Sequence, residues 1–193
     1  MAGHTPARGG DGPGMKPSTL TRTVTTAALL VAAALAAPST SSGAAKAGEV
    51  TEIRIDKSEH TLELLAGAEV VRTYKAALGP GGAGPKQFEG DKRTPVGTYR
   101  VSGRIKNLFH QFLVVSYPND EDRRRFAELK QRGEVPPGRG VGHSIGIHGV
   151  GGAEYAGTHK QADWTLGCVA LDDDEIDEVA RLVKDGTKIV ITD

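Results

Sequence analysis

The chain has 193 residues, a formal net charge of zero at pH 7 and a single cysteine, Cys168. This charge balance gives no support for nucleic-acid binding, because nucleic-acid-binding domains usually carry a basic surplus on one face. One cysteine cannot form a disulfide within the chain. If the protein is exported, such a cysteine either bridges to another chain or keeps a free thiol for chemistry.

The N-terminal 37 residues have the pattern of an export signal. Lys16 and Arg22 precede an uncharged apolar run over residues 27–37, and small residues such as Ala36 supply candidate cleavage points. A basic start, a short apolar core and small residues are typical of a secretory signal peptide. The run is shorter than the about 20 apolar residues of a membrane-spanning helix, although an uncleaved N-terminal anchor stays an alternative. We therefore predict an exported protein of the periplasm or another extracytoplasmic part of the cell envelope.

The sequence divides into a leader, a linker and one domain. The leader covers residues 1–37 and includes a dispensable Gly/Pro-rich extension before Met15, which is an alternative start. Residues 38–49 are rich in Ser, Ala and Gly and predict a flexible linker. Residues 50–192 are numerous enough for one domain with its own core. The leader holds three of the 24 Lys and Arg residues and one of the 24 Asp and Glu residues, so the remainder carries about −2 charges.

Most of the predicted domain has the alternating pattern of β-strands. Residues 50–55 and 60–64 alternate polar and apolar side chains around a turn-forming segment, which predicts a hairpin. A third strand is predicted over 69–76, and a Gly/Pro-rich loop follows it over 79–85. Further strands are predicted over 98–105, 112–117, 144–147, 168–171 and 188–192.

Two helices complete the predicted domain. Residues 121–132 are rich in helix formers, and Gly133 is expected to end this helix. A second helix is predicted to begin at Asp172 or Asp173 and to end at Gly186, because its apolar residues recur at helical spacing. Many short strands with few helices predict a mainly β fold, a β-sandwich of curled mixed sheets with two short helices.

Cys168 and His148 form the strongest candidate catalytic pair. Gly167 precedes the cysteine, and a glycine lets the backbone approach a substrate closely. A free thiol has a pKa of about 8.5, so a neighbouring imidazole is needed to generate the thiolate nucleophile at neutral pH. His148 lies twenty residues earlier and can take this proton and later return it to a leaving amine. The pair predicts nucleophilic acyl chemistry.

Three segments together resemble the catalytic domain of the L,D-transpeptidase family, of the YkuD type. Residues 90–99 (GDKRTPVGTY) resemble the family signature G-D-x-R-T-P-x-G-x-Y, and residues 145–149 (IGIHG) resemble its I-x-I-H-G strand. Residues 163–171 (DWTLGCVAL) contain its S/T-x-G-C-I/V nucleophile loop and resemble a D-W-T-x-G-C-I/V-A-L branch. The resemblance covers about residues 50–192. Ala170 stands where many members have Arg or Asn, which leaves the acyl acceptor open.

The resemblance implies a cysteine enzyme that acts on peptidoglycan stem peptides through a thioester acyl-enzyme. An amine of a second stem, or of a wall-anchored lipoprotein, would then accept the acyl group. The resemblance assigns to the backbone carbonyl of Gly149 the role of orienting His148. A sharp turn over Thr165, Gly167 and Cys168 would direct backbone N–H groups at the developing oxyanion. No metal or organic cofactor is implied, and we expect a monomer.

Arg93, His143 and His159 are the candidate substrate-binding residues. The guanidinium of Arg93 can bind a stem-peptide carboxylate through two hydrogen bonds, although an internal ion pair would explain this arginine equally well. His143 and His159 flank the catalytic region, and we expect them to line the site or the surface rather than to perform chemistry. Trp164 is expected to pack beneath the nucleophile loop.

Three alternative functions stay open. Water could resolve the same thioester, which would make the protein an L,D-carboxypeptidase or amidase-type murein hydrolase. A zinc peptidase could use His143, His148, His159 and Asp163, although the sequence has no His-Glu-x-x-His helix. A non-catalytic wall-binding module would need neither the thiol nor the imidazole. Carbapenem β-lactams resemble the acyl donor, and the resemblance implies that they acylate Cys168.

Overall fold

The structure is a computed structural model that describes residues 48–193. The predicted signal peptide or anchor over residues 1–37 and most of the predicted linker over 38–49 lie outside the described residues, and both stay predictions. Gly48 and Glu49, the last two linker residues, are exposed and have no regular secondary structure. Within residues 48–193, no helix is long and apolar enough to cross a membrane.

Residues 48–193 form eight strands and two α-helices. The strands are β1 (Glu52–Asp56), β2 (Thr61–Ala66), β3 (Glu69–Lys75), β4 (Gly97–Asn107), β5 (His110–Val115), β6 (Gly146–His148), β7 (Val169–Ala170) and β8 (Lys188–Thr192). The helices are α1 (Asp120–Gln131) and α2 (Asp173–Leu182), and short 3-10 turns cover Ala153–Tyr155 and Thr158–Gln161. The prediction of a mainly β fold with two short helices is confirmed.

The strands form one mixed sheet that curls on itself. Their order is β3-β2-β1-β8-β4-β5-β6-β7, and the pairs β1–β8 and β6–β7 are parallel. β4 pairs with β8 near its start and with β5 further on, with a register shift between Val101 and Gly103. Such an irregularity bends a strand. A bridge between Ala77 and Ala170 then joins the two ends of the strand order, so the sheet curls around its core as predicted.

The two halves of the sheet, one formed by β3, β2, β1 and β8 and the other by β4, β5, β6 and β7, share one apolar core. In β1, Ile53 and Ile55 are fully buried while Arg54 between them is exposed, which is the alternation expected of a strand with one buried face. Burying each such side chain stabilises the fold by roughly 1.5–3 kcal/mol. The cluster takes buried side chains from both sheet halves and from α2: Ile53, Leu62, Leu113, Ile147, Val169, Ile176 and Ile191.

Helix α1 is attached to the sheet through Asp122. Asn119 and Asp122 form a capping box, in which each side chain accepts a hydrogen bond from the other residue's backbone N–H. The hydroxyl of Tyr99 in β4 also donates to the Asp122 carboxylate at 3.1 Å. This attachment fixes the start of the long segment that runs from α1 to β6.

Most predicted boundaries differ from the structure by one or a few residues, and three of the differences concern the site or have a local backbone cause. β6 begins at Gly146 rather than at Ser144, because Ser144 has a φ of 60°, which is incompatible with a strand. Cys168 lies just before β7, in a loop and not in the predicted strand. α2 ends at Leu182, and Gly186 lies in the following turn with a φ of 90°.

Candidate active site

A cavity of about 690 Å³ is lined by both Cys168 and His148. Its apolar lining comes mainly from the β4–β5 hairpin and from residues 163–168, which we call the nucleophile loop. Its charged lining comes from two other loops, over residues 86–91 and 138–143. The apolar lining includes Ile105, Phe109, Phe112, Val114, Trp164 and Leu166, and the charged residues are Lys86, Glu89 and Arg139.

The parallel pairing of β6 and β7 explains why Cys168 and His148 face the same cavity. Ile147 pairs with Val169, and both side chains are buried in the core. Because successive side chains in a strand point to opposite faces, His148 points away from this core. Cys168 precedes Val169 and also points away from the core. Two residues far apart in sequence are therefore brought to one side of neighbouring strands.

His148 is oriented by the main chain. Its Nδ1 donates a hydrogen bond to the backbone carbonyl oxygen of Gly149 at 2.6 Å. A carbonyl oxygen only accepts, so this contact places the proton on Nδ1 and leaves Nε2 free to accept another proton. The ring is also packed between Phe109 and Phe112, with centroid separations of 4.6 and 5.6 Å.

Burial keeps the imidazole neutral. Desolvation lowers the pKa of His148 below its ordinary value, and the nearby His159 acts in the same direction. The hydrogen bond with Gly149 raises the pKa but does not outweigh burial. A neutral imidazole at pH 7 can act as a proton acceptor.

The thiol of Cys168 is also held in its neutral form. Its Sγ donates to the carbonyl oxygen of Ser144 at 3.5 Å. Burial raises the pKa of Cys168, whereas a backbone hydrogen bond at Gly146 and the ammonium of Lys86 act against burial, and the net direction is upward. The resting pair is therefore a thiol and a neutral imidazole, and thiolate formation requires transfer of the proton.

Asp163 anchors the nucleophile loop on the segment after β3. Its Oδ1 accepts the backbone N–H of Leu78 at 2.8 Å, and its Oδ2 lies 3.1 Å from Nε2 of His60. The backbone N–H groups of Trp164 and Thr165 both donate to the carbonyl oxygen of Leu78 at 3.0 Å. The nucleophile loop is therefore held in place by hydrogen bonds of both its backbone and its Asp163 side chain.

Thr165 and Gly167 shape the turn before the cysteine. The Thr165 hydroxyl donates to the carbonyl oxygen of Cys168 at 2.7 Å and accepts from the N–H of Gly167 at 3.1 Å. Gly167 has a φ of 128°, and a Cβ at this position would lie 2.6 Å from the carbonyl oxygen of Arg93. Only glycine fits this turn without distortion.

The predicted oxyanion hole needs correction. The N–H of Thr165 donates to Leu78 and the N–H of Gly167 donates to the Thr165 hydroxyl, so neither group is free for a substrate. Of the three predicted donors, only the N–H of Cys168 lacks a partner within the described part of the chain. The sequence indicates a turn before Cys168, but it does not show which backbone N–H groups form hydrogen bonds within the protein.

The three predicted substrate-binding residues have different environments. His143 lines the cavity, with Nδ1 at 2.6 Å from the hydroxyl of Ser144. His159 lies outside the lining with its side chain only 6% exposed, and its Nε2 lies 3.0 Å from Oδ1 of Asp172. The structure therefore does not support direct substrate contact for His159.

Arg93 does not line the cavity either. Its side chain runs along the Gly-rich loop over 79–85, where a Cβ on Gly84 would lie 3.1 Å from Nη1. The predicted role of Arg93 in binding substrate is not supported by this position. The arginine that does line the cavity is Arg139, which carries no sequence motif.

Aromatic residues of the lining were also not identified from the sequence. Trp164 was expected to pack beneath the loop, but it lines the cavity, is 41% exposed and lies edge-on to His148 at 5.9 Å. Phe109 follows Leu108 at the tip of the β4–β5 hairpin, and both residues are exposed. Two adjacent apolar residues at a hairpin tip, where polar residues are usual, are the sequence feature that could have indicated this part of the cavity lining.

Lys86 and Asp91 form a buried ion pair beside the cavity. Lys86 Nζ lies 2.6 Å from Oδ1 of Asp91, and the two side chains are only 3% and 5% exposed. Burial would raise the pKa of Asp91, but the hydrogen bonds from Lys86 and from the backbone N–H groups of Gln87 and Arg93 outweigh it and lower the pKa. The pair fixes the 86–91 loop and holds a positive charge near Cys168.

The zinc alternative is not supported by the placement of its residues. Asp163 is paired with His60 and His159 with Asp172, so they do not converge on His148. Within residues 48–193, no group of three or more His, Cys, Asp or Glu side chains is arranged to hold a metal ion.

Comparison with known proteins identifies the family. The family model of the L,D-transpeptidase catalytic domain, YkuD, matches residues 51–191. The chain therefore belongs to the L,D-transpeptidase catalytic domain family. YafK of Escherichia coli strain K12, which is only provisionally assigned as an L,D-transpeptidase, is 27% identical over 143 residues, covering 70% of this chain and 48% of YafK. The chain thus spans about half the length of the curated relatives it matches.

Solved structures agree on the fold. The helical cell shape determining protein Pgp2 from Campylobacter jejuni aligns with a TM-score of 0.52 and 21% identity, over 74% of this chain and 47% of Pgp2. Bd1075 from Bdellovibrio bacteriovorus aligns with a TM-score of 0.52 and 22% identity, over 76% of this chain and 48% of Bd1075. At these identities the likeness shows the fold alone, a mostly β mixed sheet with few short helices.

Proposed function

We propose that this protein is an exported, cysteine-dependent L,D-transpeptidase that acts on peptidoglycan stem peptides. The observation that carries the proposal is that Cys168 and His148 face one cavity while Gly149 holds the proton on Nδ1 of the histidine. Membership of the L,D-transpeptidase catalytic domain family supports the same chemistry. The export part of the proposal rests on the pattern of residues 1–37.

In the proposed first half-reaction, Nε2 of His148 takes the thiol proton as Sγ of Cys168 attacks the carbonyl carbon of the donor. That carbon belongs to the L-centre of meso-diaminopimelate, and its amide bond to a terminal D-alanine breaks. His148 returns the proton to the departing amine of D-alanine. The stem stays attached to Cys168 as a thioester.

In the second half-reaction, an acceptor amine attacks the thioester carbon. His148 removes a proton from this amine, the new amide bond forms and Sγ leaves as a thiolate that recovers the proton. The acceptor is a second stem peptide or the lysine of a wall-anchored lipoprotein. Water in place of the amine would give the hydrolase alternative with the same two residues.

The electrostatics of the cavity suit this sequence of events. Because the thiol and the imidazole are both neutral at rest, charge develops only when the substrate is attacked. The ammonium of Lys86 favours the thiolate, and the N–H of Cys168 is available for the oxyanion. A single oxyanion donor of this kind typically contributes about 10²–10³ in rate.

The product profile with muropeptides tests the proposal. The protein would be incubated with tetrapeptide-stem muropeptides, with and without a D-amino acid as a competing amine, alongside Cys168→Ser. Cross-linked or amine-exchanged product supports transfer, whereas tripeptide alone supports the hydrolase. If wild type and Cys168→Ser give the same profile, the proposed use of this thiol is wrong.

A further inference from the structure

Two oppositely charged side chains line the cavity from neighbouring loops. Glu89 belongs to the 86–91 loop and Arg139 to the 138–143 loop, and both are exposed to solvent. The backbone N–H of Glu89 donates to the carbonyl oxygen of Gly140 at 2.8 Å, which ties the two loops together. The two side chains are therefore presented from one connected piece of backbone.

Glycines leave room for both charged groups. A Cβ on Gly90 would lie 3.5 Å from Nη1 of Arg139, so the guanidinium lies across this glycine. A Cβ on Gly140 would lie 3.8 Å from Oε2 of Glu89, so the carboxylate lies beside that glycine. Each charged group thus rests against the loop that carries the other.

Neither charged group is neutralised by the protein. Among the ion pairs of residues 48–193, none within 4.0 Å includes Glu89 or Arg139, and the two do not pair with each other. Lys86, the other cation of the lining, is already paired with Asp91. The cavity therefore offers one carboxylate and one guanidinium, side by side but apart, to whatever enters it.

We propose that Glu89 and Arg139 form a subsite for a group that carries an ammonium and a carboxylate on one carbon. The ammonium faces Glu89, and the carboxylate faces Arg139, whose planar fork suits a carboxylate. This inference rests on the proposed function, because such a group occurs at the distal end of meso-diaminopimelate. A short methylene chain links that end to the carbonyl that Cys168 attacks, so one cavity receives both ends of the residue.

Competition between two donor stems tests the assignment of Arg139. One stem carries meso-diaminopimelate at its third position and the other carries L-lysine, which keeps the ammonium but lacks the carboxylate. Wild type should prefer the diaminopimelate stem, and Arg139→Met should lower this preference by about 10- to 100-fold, the usual loss for a hydrogen bond between charged groups. Arg124→Met is the matched control, because Arg124 is exposed on α1 and does not line the cavity.

A second comparison of donor stems tests the assignment of Glu89. Glu89→Gln should leave the diaminopimelate-to-lysine preference in place, because both stems carry the ammonium. It should instead reduce by about 10-fold or more the preference for the diaminopimelate stem over the same stem acetylated on its distal amine. Glu128→Gln, another exposed change on α1, should alter neither preference.

The outcomes separate this subsite from the proposed function. If wild type releases D-alanine from the stems and forms cross-linked or amine-exchanged product, but Arg139→Met keeps the full preference, the subsite is wrong and the transpeptidase proposal stands. The same holds if wild type shows no preference for diaminopimelate. If wild type releases D-alanine from none of the stems, the proposed function fails and the subsite fails with it.

Discussion

His148 is oriented by a backbone carbonyl and not by a carboxylate. Gly149 fixes the tautomer through Nδ1, and the two phenylalanine rings Phe109 and Phe112 hold the plane of the imidazole. A carbonyl supplies no negative charge to stabilise the imidazolium, and burial lowers the pKa of His148 further. The histidine is therefore suited to accept a proton and to release it again readily.

The reactivity of Cys168 should depend on pH in a specific way. Because burial raises the pKa of Cys168, the alkylation rate with iodoacetamide should be low at neutral pH and should rise at higher pH than in the unfolded chain, whose thiol has its ordinary pKa. Rates measured by mass spectrometry between about pH 6 and pH 10 check this, with denaturant-unfolded protein as the control. A high rate that is flat across the neutral range would indicate a resting thiolate–imidazolium pair and would contradict the account.

Gly167 should tolerate no side chain. A methyl group at this position would lie 2.6 Å from the carbonyl oxygen of Arg93, so the nucleophile loop must shift in Gly167→Ala. A displacement of about 1 Å near the nucleophile can cost about 10²-fold in rate, and we expect a loss of that size in kcat/KM. Gly186→Ala is the control, because Gly186 also has a positive φ but has no atoms within 4 Å of the added methyl. Equal losses in both variants would contradict the steric explanation.

Motifs in the sequence indicate the two candidate catalytic residues but not the side chains that surround them. Cys168 and His148 stand in motifs, whereas Phe109 and Arg139 reach the cavity from a hairpin tip and a loop that carry no motif. Arg93 stands in a motif, yet its side chain lies along another loop. Which side chains line a cavity depends on long-range packing, and a local pattern does not contain this information.

The elements that build the site are short and are held by their neighbours. β6 and β7 contain three and two residues, so their own ladder contributes few hydrogen bonds. β7 also pairs with Ala77 through Ala170, and Asp163 and the backbone of Trp164 attach the loop before it to Leu78. The position of Cys168 therefore depends on the segment after β3 as well as on the strand that follows Cys168.

The 86–91 loop should depend on its buried ion pair. Asp91→Asn leaves the ammonium of Lys86 buried without its counter-charge, and breaking such a pair typically costs about 3–5 kcal/mol of unfolding free energy. Urea unfolding measures this loss. Asp185→Asn is the control, because Asp185 forms an exposed ion pair with Arg104. Its loss should lower the unfolding free energy by less than about 1 kcal/mol. Equal and small losses would show that the Lys86–Asp91 pair does not stabilise the loop.

The same pair predicts how acid acts on the protein. The pKa of Asp91 is lower in the folded chain than its ordinary value of 3.8. The ionised carboxylate therefore contributes its full share of the unfolding free energy above pH 3.8, and this share is lost as pH falls through the folded pKa. Wild type should therefore lose more unfolding free energy than Asp91→Asn when pH falls below about 4. Parallel pH profiles of stability in the two proteins would contradict this prediction.

Regular elements were predictable where one local pattern dominates. The alternation in β1 and β2 predicted their hairpin, and the pairing of Ile55 with Leu62 confirms it. Boundaries were less predictable where a single backbone angle decides them, as at Ser144 and after Leu182. The closing bridge between Ala77 and Ala170 follows from tertiary packing, and no local pattern indicates it.

The whole domain brings together residues that the chain order separates. The curled sheet places the loop after β3, the β4–β5 hairpin, the segment after α1 and the nucleophile loop around a single cavity. The core behind β6 and β7 is shared by both halves of the sheet, so Cys168 and His148 lie beside the buried apolar cluster of residues 48–193. Such a rigid support suits chemistry that depends on a fixed distance between a thiol and its base.

The most direct test of the central claim is to trap the acyl-enzyme. The protein would be mixed briefly with a tetrapeptide stem that contains meso-diaminopimelate, quenched with acid, and analysed by intact-mass measurement and peptide mapping. We predict an adduct equal to the stem without its terminal D-alanine, located on Cys168, absent in Cys168→Ala and formed more slowly in His148→Gln. Stem turnover without an adduct on Cys168, or full activity in Cys168→Ala, would contradict the account.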